Sequence, residues 1–273
     1  YDSIKNLVPY LLIIILILLI FMEKRKINAL IVVLITGFLG LSVLNINLIN
    51  QPLLPLLTGL FGGSMLIINL KNKINIPEQK ITHPKNPFKI KPLFGSIIAS
   101  PLCCFLPGLG AGQAAIIGNT FARIDKKDKK SFLVLLGATN TLVMSFSFIM
   151  LYVISRTRTG AAVAIKEIAG TIDLKILLTI ILTIFITGLI AFILTKKLSY
   201  FFIKIINKIN YTKLTIIIFI ILTLIIILVS KILGLIIFII SIITGIYCIS
   251  LKVRRTNMMG CLIIPTIIFY LFL

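Results

Sequence analysis

A set of neutral polar side chains lies within an otherwise apolar part of the chain: Ser96, Ser100, Gln113, Asn119, Thr120, Thr139, Asn140, Thr141, Ser145 and Ser147. Between Ser100 and Gln113 stands Pro107-Gly108-Leu109-Gly110-Ala111-Gly112, a run that reads as neither helix nor strand. These groups suit one kind of chemistry, ion binding without acids. Unwound carbonyls and hydroxyls coordinate a cation such as Na⁺. The unpaired N–H groups that open a helix, at the positive end of its dipole, hold an anion. Pro107, Gly108, Gly110, Ala111, Gly112, Asn119, Asn140 and Arg158 are therefore candidate contacts for an anionic substrate, and Thr139, Asn140 and Thr141 candidate ligands for an ion. The plainer alternative is that each hydroxyl bonds its own helix and the glycines only make a turn. The conjunction of a Pro-Gly tip, short flanking arms and a polar patch on the next apolar segment favours binding.

The acidic residues exclude other chemistry. All 7 of them, Asp2, Glu23, Glu78, Asp125, Asp128, Glu167 and Asp173, fall in loops or at the ends of apolar segments. A proton relay of buried acids, or an Asp-rich diphosphate site, needs carboxylates in the hydrocarbon. The 1 histidine, His83, sits in a polar loop, so a multi-His metal site and a nucleophile-histidine pair within the membrane both lack parts. No enzyme and no metal or organic cofactor is expected; Na⁺ or H⁺ enters only as a coupling ion. Cys103, Cys104, Cys248 and Cys261 lie in or beside apolar segments without metal or redox spacing and read as buried thiols.

With 59% hydrophobic residues and a mean hydropathy of +1.16, the chain is too apolar for a soluble domain and reads as an all-α, multi-pass integral membrane protein of the cell membrane. The net charge of +21 gathers in loops between apolar runs. That pattern reports topology and affinity for anionic lipid headgroups; it is not a nucleic-acid surface.

Residues 93–106 are too short to cross a hydrocarbon core of about 30 Å, and the piece after the tip is shorter still. Both flanks are basic: residues 71–92 are lysine-rich with Glu78 as their one acid, and residues 123–130 again carry more cations than anions. The positive-inside rule puts both feet on the cytoplasmic side, so residues 93–124 are expected to enter and leave by one face as a re-entrant hairpin. Around it, residues 7–22, 27–46, 52–70, 132–154, 174–195, 214–230, 232–250 and 258–273 read as eight spans, with both ends outside. The chain thus divides into a three-helix segment (1–70), a basic cytoplasmic loop (71–92), the hairpin with its basic loop (93–131) and a five-helix segment (132–273). Residues 200–211 read as an interfacial amphipathic helix. The outward loop of residues 155–171 resists the charge rule because it holds Arg156, Arg158 and Lys166; it is either a weak topological signal or a device that attracts an anion.

Pro107-Gly108-Leu109-Gly110-Ala111, preceded by Gly95 and Ser96, resembles the glycine-rich signature of the large membrane subunit of tripartite tricarboxylate transporters, best in its archaeal branch. PLLPLLTGLFG (52–62), SRTRTGAAVAI (155–165) and VRRTNMMGCLIIPT (253–266) resemble further blocks of that branch. The resemblance implies a secondary transporter for di- or tricarboxylates driven by an ion gradient. It also implies partners in bacterial members, a small membrane subunit and an extracytoplasmic solute-binding protein. The family pattern has a related Pro-Gly hairpin in each half, whereas this chain has one and reads as the C-terminal half, its site completed by a missing N-terminal half or another subunit. The competing reading is a non-transporting membrane scaffold or partner-binding subunit in which the hairpin only packs.

Overall fold

The computed structural model describes residues 2–46, 49, 51–73, 90–106, 109–125, 128–155, 159–206 and 209–272, and among these it is helical with no strand. In chain order come α1 (Asp2–Phe21), α2 (Lys26–Leu44), α3 (Leu53–Leu57), a π turn (Thr58–Gly63), α4 (Ser64–Lys71), α5 (Ile90–Phe105) and α6 (Ala111–Phe121). Then follow α7 (Lys129–Ile154), α8 (Gly160–Ala169), α9 (Leu174–Ile206), α10 (Tyr211–Ser250), a 3₁₀ turn (Arg255–Met259) and α11 (Gly260–Leu271). By length and composition five helical stretches are able to cross a membrane: Lys26–Leu44, Leu53–Lys71, Lys129–Ile154, Leu174–Ile206 and Tyr211–Ser250. Leu7–Phe21, Ile90–Phe105 and Arg255–Leu271 are apolar but shorter.

Two of these stretches bear on the sequence expectation, one in agreement with it and one not. The 40 residues of α10 would be about 60 Å long if straight. They are not straight: Lys231 has φ 56° and ψ −158°, and the chain reverses there. Phe219 and Phe238, from the two limbs, stack with ring centroids 6.0 Å apart, and Ile226 packs in one cluster with Phe238 and Ile242. The expected pair of helices around Lys231 is thus a tight hairpin. By contrast, α9 does not stop at Thr195. It runs on through Tyr200 to Ile206, so this stretch, expected as a separate interfacial helix, is the continuation of a 33-residue helix. No residue between Leu174 and Ile206 is a glycine or proline placed to end the helix; Gly188 alone intervenes and is tolerated in an apolar helix.

The helices form two compact units. One holds α1–α4 with α10 and α11, the other α5–α8 and most of α9. In the first, close approach is bought with glycine. A Cβ on Gly260 would lie 2.7 Å from the Val33 carbonyl oxygen, a Cβ on Gly245 2.6 Å from the Leu60 carbonyl, and Gly40 faces the Cys261 carbonyl. Small residues matter here because apolar helices in lipid gain little from burial and must win van der Waals contact by proximity. At one end, Glu23 accepts from Asn257 Nδ2 and the Arg254 amide, both at 3.3 Å, with the Arg254 guanidinium at 3.4 Å, while Asn28 Nδ2 donates to the Leu251 carbonyl. All four cysteines are buried and joined by no disulfide. Gly260→Val is expected to destabilise the protein by about 1–3 kcal/mol through overpacking of backbone on backbone, read as a lowered thermal unfolding temperature in detergent.

Candidate functional site

Three contacts fix how the second unit is stacked. Leu135 Cδ1 lies 3.0 Å from where a Cβ on Gly95 would stand, Ser100 Oγ donates to the Thr139 carbonyl at 3.5 Å, and Cys104 Sγ donates to the Val143 carbonyl at 3.3 Å. Partners on α5 and α7 advance together, so these two helices run parallel and start at the same end. Helix α6 returns between those starts: Gly118 meets Gly95 so closely that a Cβ on either would stand 2.6 Å from the other's carbonyl oxygen. α5 and α6 are therefore an antiparallel hairpin whose two feet lie at one end of the unit. Its 16-residue first arm is about 24 Å long, against about 39 Å for the 26 residues of α7. The arm stops beside Val143, about midway along α7.

The tip is anchored by its apolar residues. Leu106 and Leu109 are both 1% exposed, and Cys103 Sγ donates to the Leu109 carbonyl at 3.4 Å. Gly110 caps α6 in an extended conformation, and its amide donates to Gln113 Oε1 at 2.7 Å, which holds the buried Gln113 side chain beneath the first turn. Ala111 is half-buried, and Gly112 is exposed, with nothing within 4 Å of an added Cβ. The first turn of α6 is thus open at Gly112 and closed at Gln113. Pro107, Gly108 and Arg158 lie outside the described residues.

The other candidate residues are dispersed. Asn119 is two turns further along α6, about 10 Å from Gly112 towards the feet. Thr139 is fully buried, its hydroxyl donating to the Leu135 carbonyl at 2.7 Å and its own carbonyl receiving Ser100. Asn140 and Thr141 are exposed on other faces of α7, and Thr141 Oγ1 donates to the Gly137 carbonyl. All three stand about one turn short of the level that the tip reaches.

A second element comes to that level from the opposite end. Ser155 ends α7 in the left-handed conformation, φ 56° and ψ 21°. By Thr159 the chain has doubled back along α7, because Thr159 Oγ1 shares a hydrogen bond of 3.1 Å with Ser147 Oγ. From there α8 climbs beside α7: Ala162 packs with Phe148 and Leu151, and Lys166 Nζ donates to the Ser155 carbonyl at 2.9 Å. Thr159 also caps α8, its Oγ1 accepting from the Ala162 amide at 3.3 Å. Within what read as a loop, Gly160–Ala169 thus form a short helix that starts beside Ser147. Its N-terminus stands one turn along α7 from where the hairpin tip stands. The sequence signal for it was a Thr-Gly cap ahead of AAVAIKEIA and a Gly170 stop. Chemically, the unit offers two helix N-termini, the hydroxyls of Ser147 and Thr159, and no carboxylate among the described residues at this level.

The sequence matches the Tripartite tricarboxylate transporter TctA family over residues 1–260. It is also 32% identical, over 276 residues, to an uncharacterized protein of Methanocaldococcus jannaschii, the alignment covering 99% of this chain and 68% of that protein. No solved structure matches. The resemblance carried by the Pro-Gly signature and its accompanying blocks is thereby borne out: this chain belongs to the tripartite tricarboxylate transporter TctA family.

Proposed function

We propose that the chain is the permease part of a secondary transporter of the cell membrane that moves small di- or tricarboxylates, coupled to a Na⁺ or H⁺ gradient. The anion binds between the first turn of α6 and the first turn of α8. The observation that carries this reading is the register of the hairpin on α7, which ends α5 at mid-helix, beside the start of α6, where Gly112 is exposed. With α7 crossing the bilayer, residues 93–124 form a re-entrant hairpin with its tip near the midplane, and irregular backbone at such depth is tolerated where it lines a cavity. Two converging helix N-termini attract a carboxylate from opposite sides without any buried cation. Pro107, Gly108 and Gly110 of the glycine-rich run, with Asn119, Asn140 and Arg158, are the further proposed contacts of the anion. Thr139, Asn140 and Thr141, on α7 just short of the tip, are the proposed ligands of the coupling ion. The eight-span topology accommodates this arrangement, and a small membrane subunit, a solute-binding protein or a further stretch of chain completes the assembly.

Purified protein reconstituted into liposomes tests it. A sodium or proton gradient is expected to drive saturable uptake of labelled di- or tricarboxylates. Gly112→Val, which fills open space without a clash, is expected to cut the initial rate about tenfold or more, a loss of about 1.4 kcal/mol in transition-state stabilisation, with the unfolding temperature unchanged. Absence of gradient-driven uptake of every such anion overturns the reading.

A further inference from the structure

Between α7, α8 and α9 the second unit leaves an open groove of about 520 Å³. It is walled by Met144 and Phe148 of α7, by Ala161 and Ile165 of α8, and by α9 from Lys175 to Thr187. Helix α9 runs back along α7: Leu177 packs with Leu151 and Phe148, and Met144 and Ile184 adjoin the same cluster. The groove therefore opens at Lys175, beside the C-terminal end of α7, and closes at Thr187, near the level of Met144. From Lys175 to Thr187 is about 18 Å of helix. Half of a hydrocarbon core about 30 Å thick is about 15 Å. With α7 and α9 crossing the bilayer, the groove extends from the headgroup level to the midplane, the depth of one leaflet.

The polar groups along the groove decide what suits it. Thr179, Thr183 and Thr187 follow one another at four-residue spacing on the α9 wall, and their hydroxyls donate to the carbonyls of Lys175, Thr179 and Thr183 at 2.9, 2.8 and 2.7 Å. Bonded to their own helix, they need no polar ligand. The body of the groove is therefore apolar in its demands, and left empty it would forfeit van der Waals contact along its whole lining. Its outer end differs. The Lys175 ammonium is exposed and has no hydrogen bond or ion pair among the described residues. The charged groups around it are engaged elsewhere: Lys166 Nζ donates to the Ser155 carbonyl, and Asp173 Oδ1 accepts from the Leu174 amide at 2.7 Å. A long apolar slot with a cation at the headgroup level complements a molecule with an alkyl body and an anionic end.

We propose that this groove holds one acyl chain of a membrane lipid whose anionic headgroup rests on Lys175. Neither the identity of the carried anion nor transport itself enters this inference. The chain contains no tryptophan, so a single introduced indole reports on its own surroundings. In the full chain reconstituted into phosphatidylcholine vesicles, Thr187→Trp places an indole at the inner end of the groove. Phe185→Trp places one at similar depth on a lipid-exposed position that does not line it. Each is titrated with phosphatidylglycerol or phosphatidylcholine carrying bromine on the acyl chains, which quenches indole fluorescence on contact. Thr187→Trp is expected to select phosphatidylglycerol about fivefold over phosphatidylcholine, the attraction that one interfacial lysine supplies, and Phe185→Trp to be quenched equally by both. Adding Lys175→Gln to Thr187→Trp is expected to bring the ratio to about one, whereas Lys197→Gln, outside the groove, leaves it unchanged. Thr183→Trp, one turn nearer Lys175, is a second reporter and is expected to show the same selection. Equal quenching by the two lipids at both groove positions, or selection that survives Lys175→Gln, overturns the proposal. So does protection of both positions from either lipid, the result expected if a helix of another subunit fills the groove.

Discussion

Gly118→Val is expected to abolish uptake and to leave little folded protein. The Gly95 and Gly118 backbones approach until a Cβ on either would stand 2.6 Å from the other's carbonyl oxygen, and Ala99 Cβ is already 3.1 Å from the Gly118 position. Both obstructing oxygens belong to helical backbone, which moves only if a whole arm moves. A branched side chain there forces α5 and α6 apart, and the register of α5 on α7 through Ser100 and Cys104 goes with it. Overpacking of this kind costs about 1–3 kcal/mol where side chains yield, and more where backbone must. Gly137→Ala is the control, since nothing lies within 4 Å of an added Cβ on Gly137. It is expected to express and transport normally. Size-exclusion profiles and liposome uptake of the two variants decide the matter; a monodisperse, active Gly118→Val would mean that the arms do not cross at this pair.

Thr159→Val is expected to lower uptake about tenfold or more without unfolding the protein. The substitution keeps the shape and removes one oxygen that does two things, capping α8 through the Ala162 amide and joining Ser147 on α7. Loss of a helix cap costs about 1 kcal/mol. Loss of an interhelical hydrogen bond in a membrane protein costs about 0.6 kcal/mol. Their sum corresponds to roughly a tenfold change in rate if the first turn of α8 must be in place for substrate. Thr159→Ser retains the hydroxyl and is expected to restore uptake. Ser147→Ala removes only the bond to α7 and should give a milder loss, and the double variant Ser147→Ala/Thr159→Val should be no worse than Thr159→Val alone. Wild-type rates in Thr159→Val would remove α8 from the site.

The particular residues show which features composition and pattern could specify. The all-helical class followed from long apolar runs separated by basic loops, because no backbone except a helix satisfies itself over such lengths in lipid. The separation of α5 from α6 followed from the Pro-Gly run between them, which cannot continue a helix. The reversal at Lys231 was legible from length, since 40 helical residues exceed the thickness available. Where local signals were weak, local reasoning failed. Lys196 and Lys197 suggested an end to α9, yet nothing in the backbone chemistry of Ser199 to Ile206 obliges a helix to stop, and it continues.

What the amino-acid sequence determined by itself, then, is the class of molecule, the positions of the strongest breaks and the family, because hydropathy, glycine and proline act over a few residues and leave their mark in order along the chain. Which side chains meet was decided only by the tertiary structure. How far α5 reaches along α7 depends on Gly95 fitting Gly118 and on Ser100 and Cys104 meeting particular carbonyls of α7. The start of α8 beside α7 depends on Thr159 finding Ser147. Contacts of this kind are settled by close packing between helices far apart in the chain, and in lipid, where burial alone rewards no particular pairing, it is steric fit and single hydrogen bonds that choose among the alternatives.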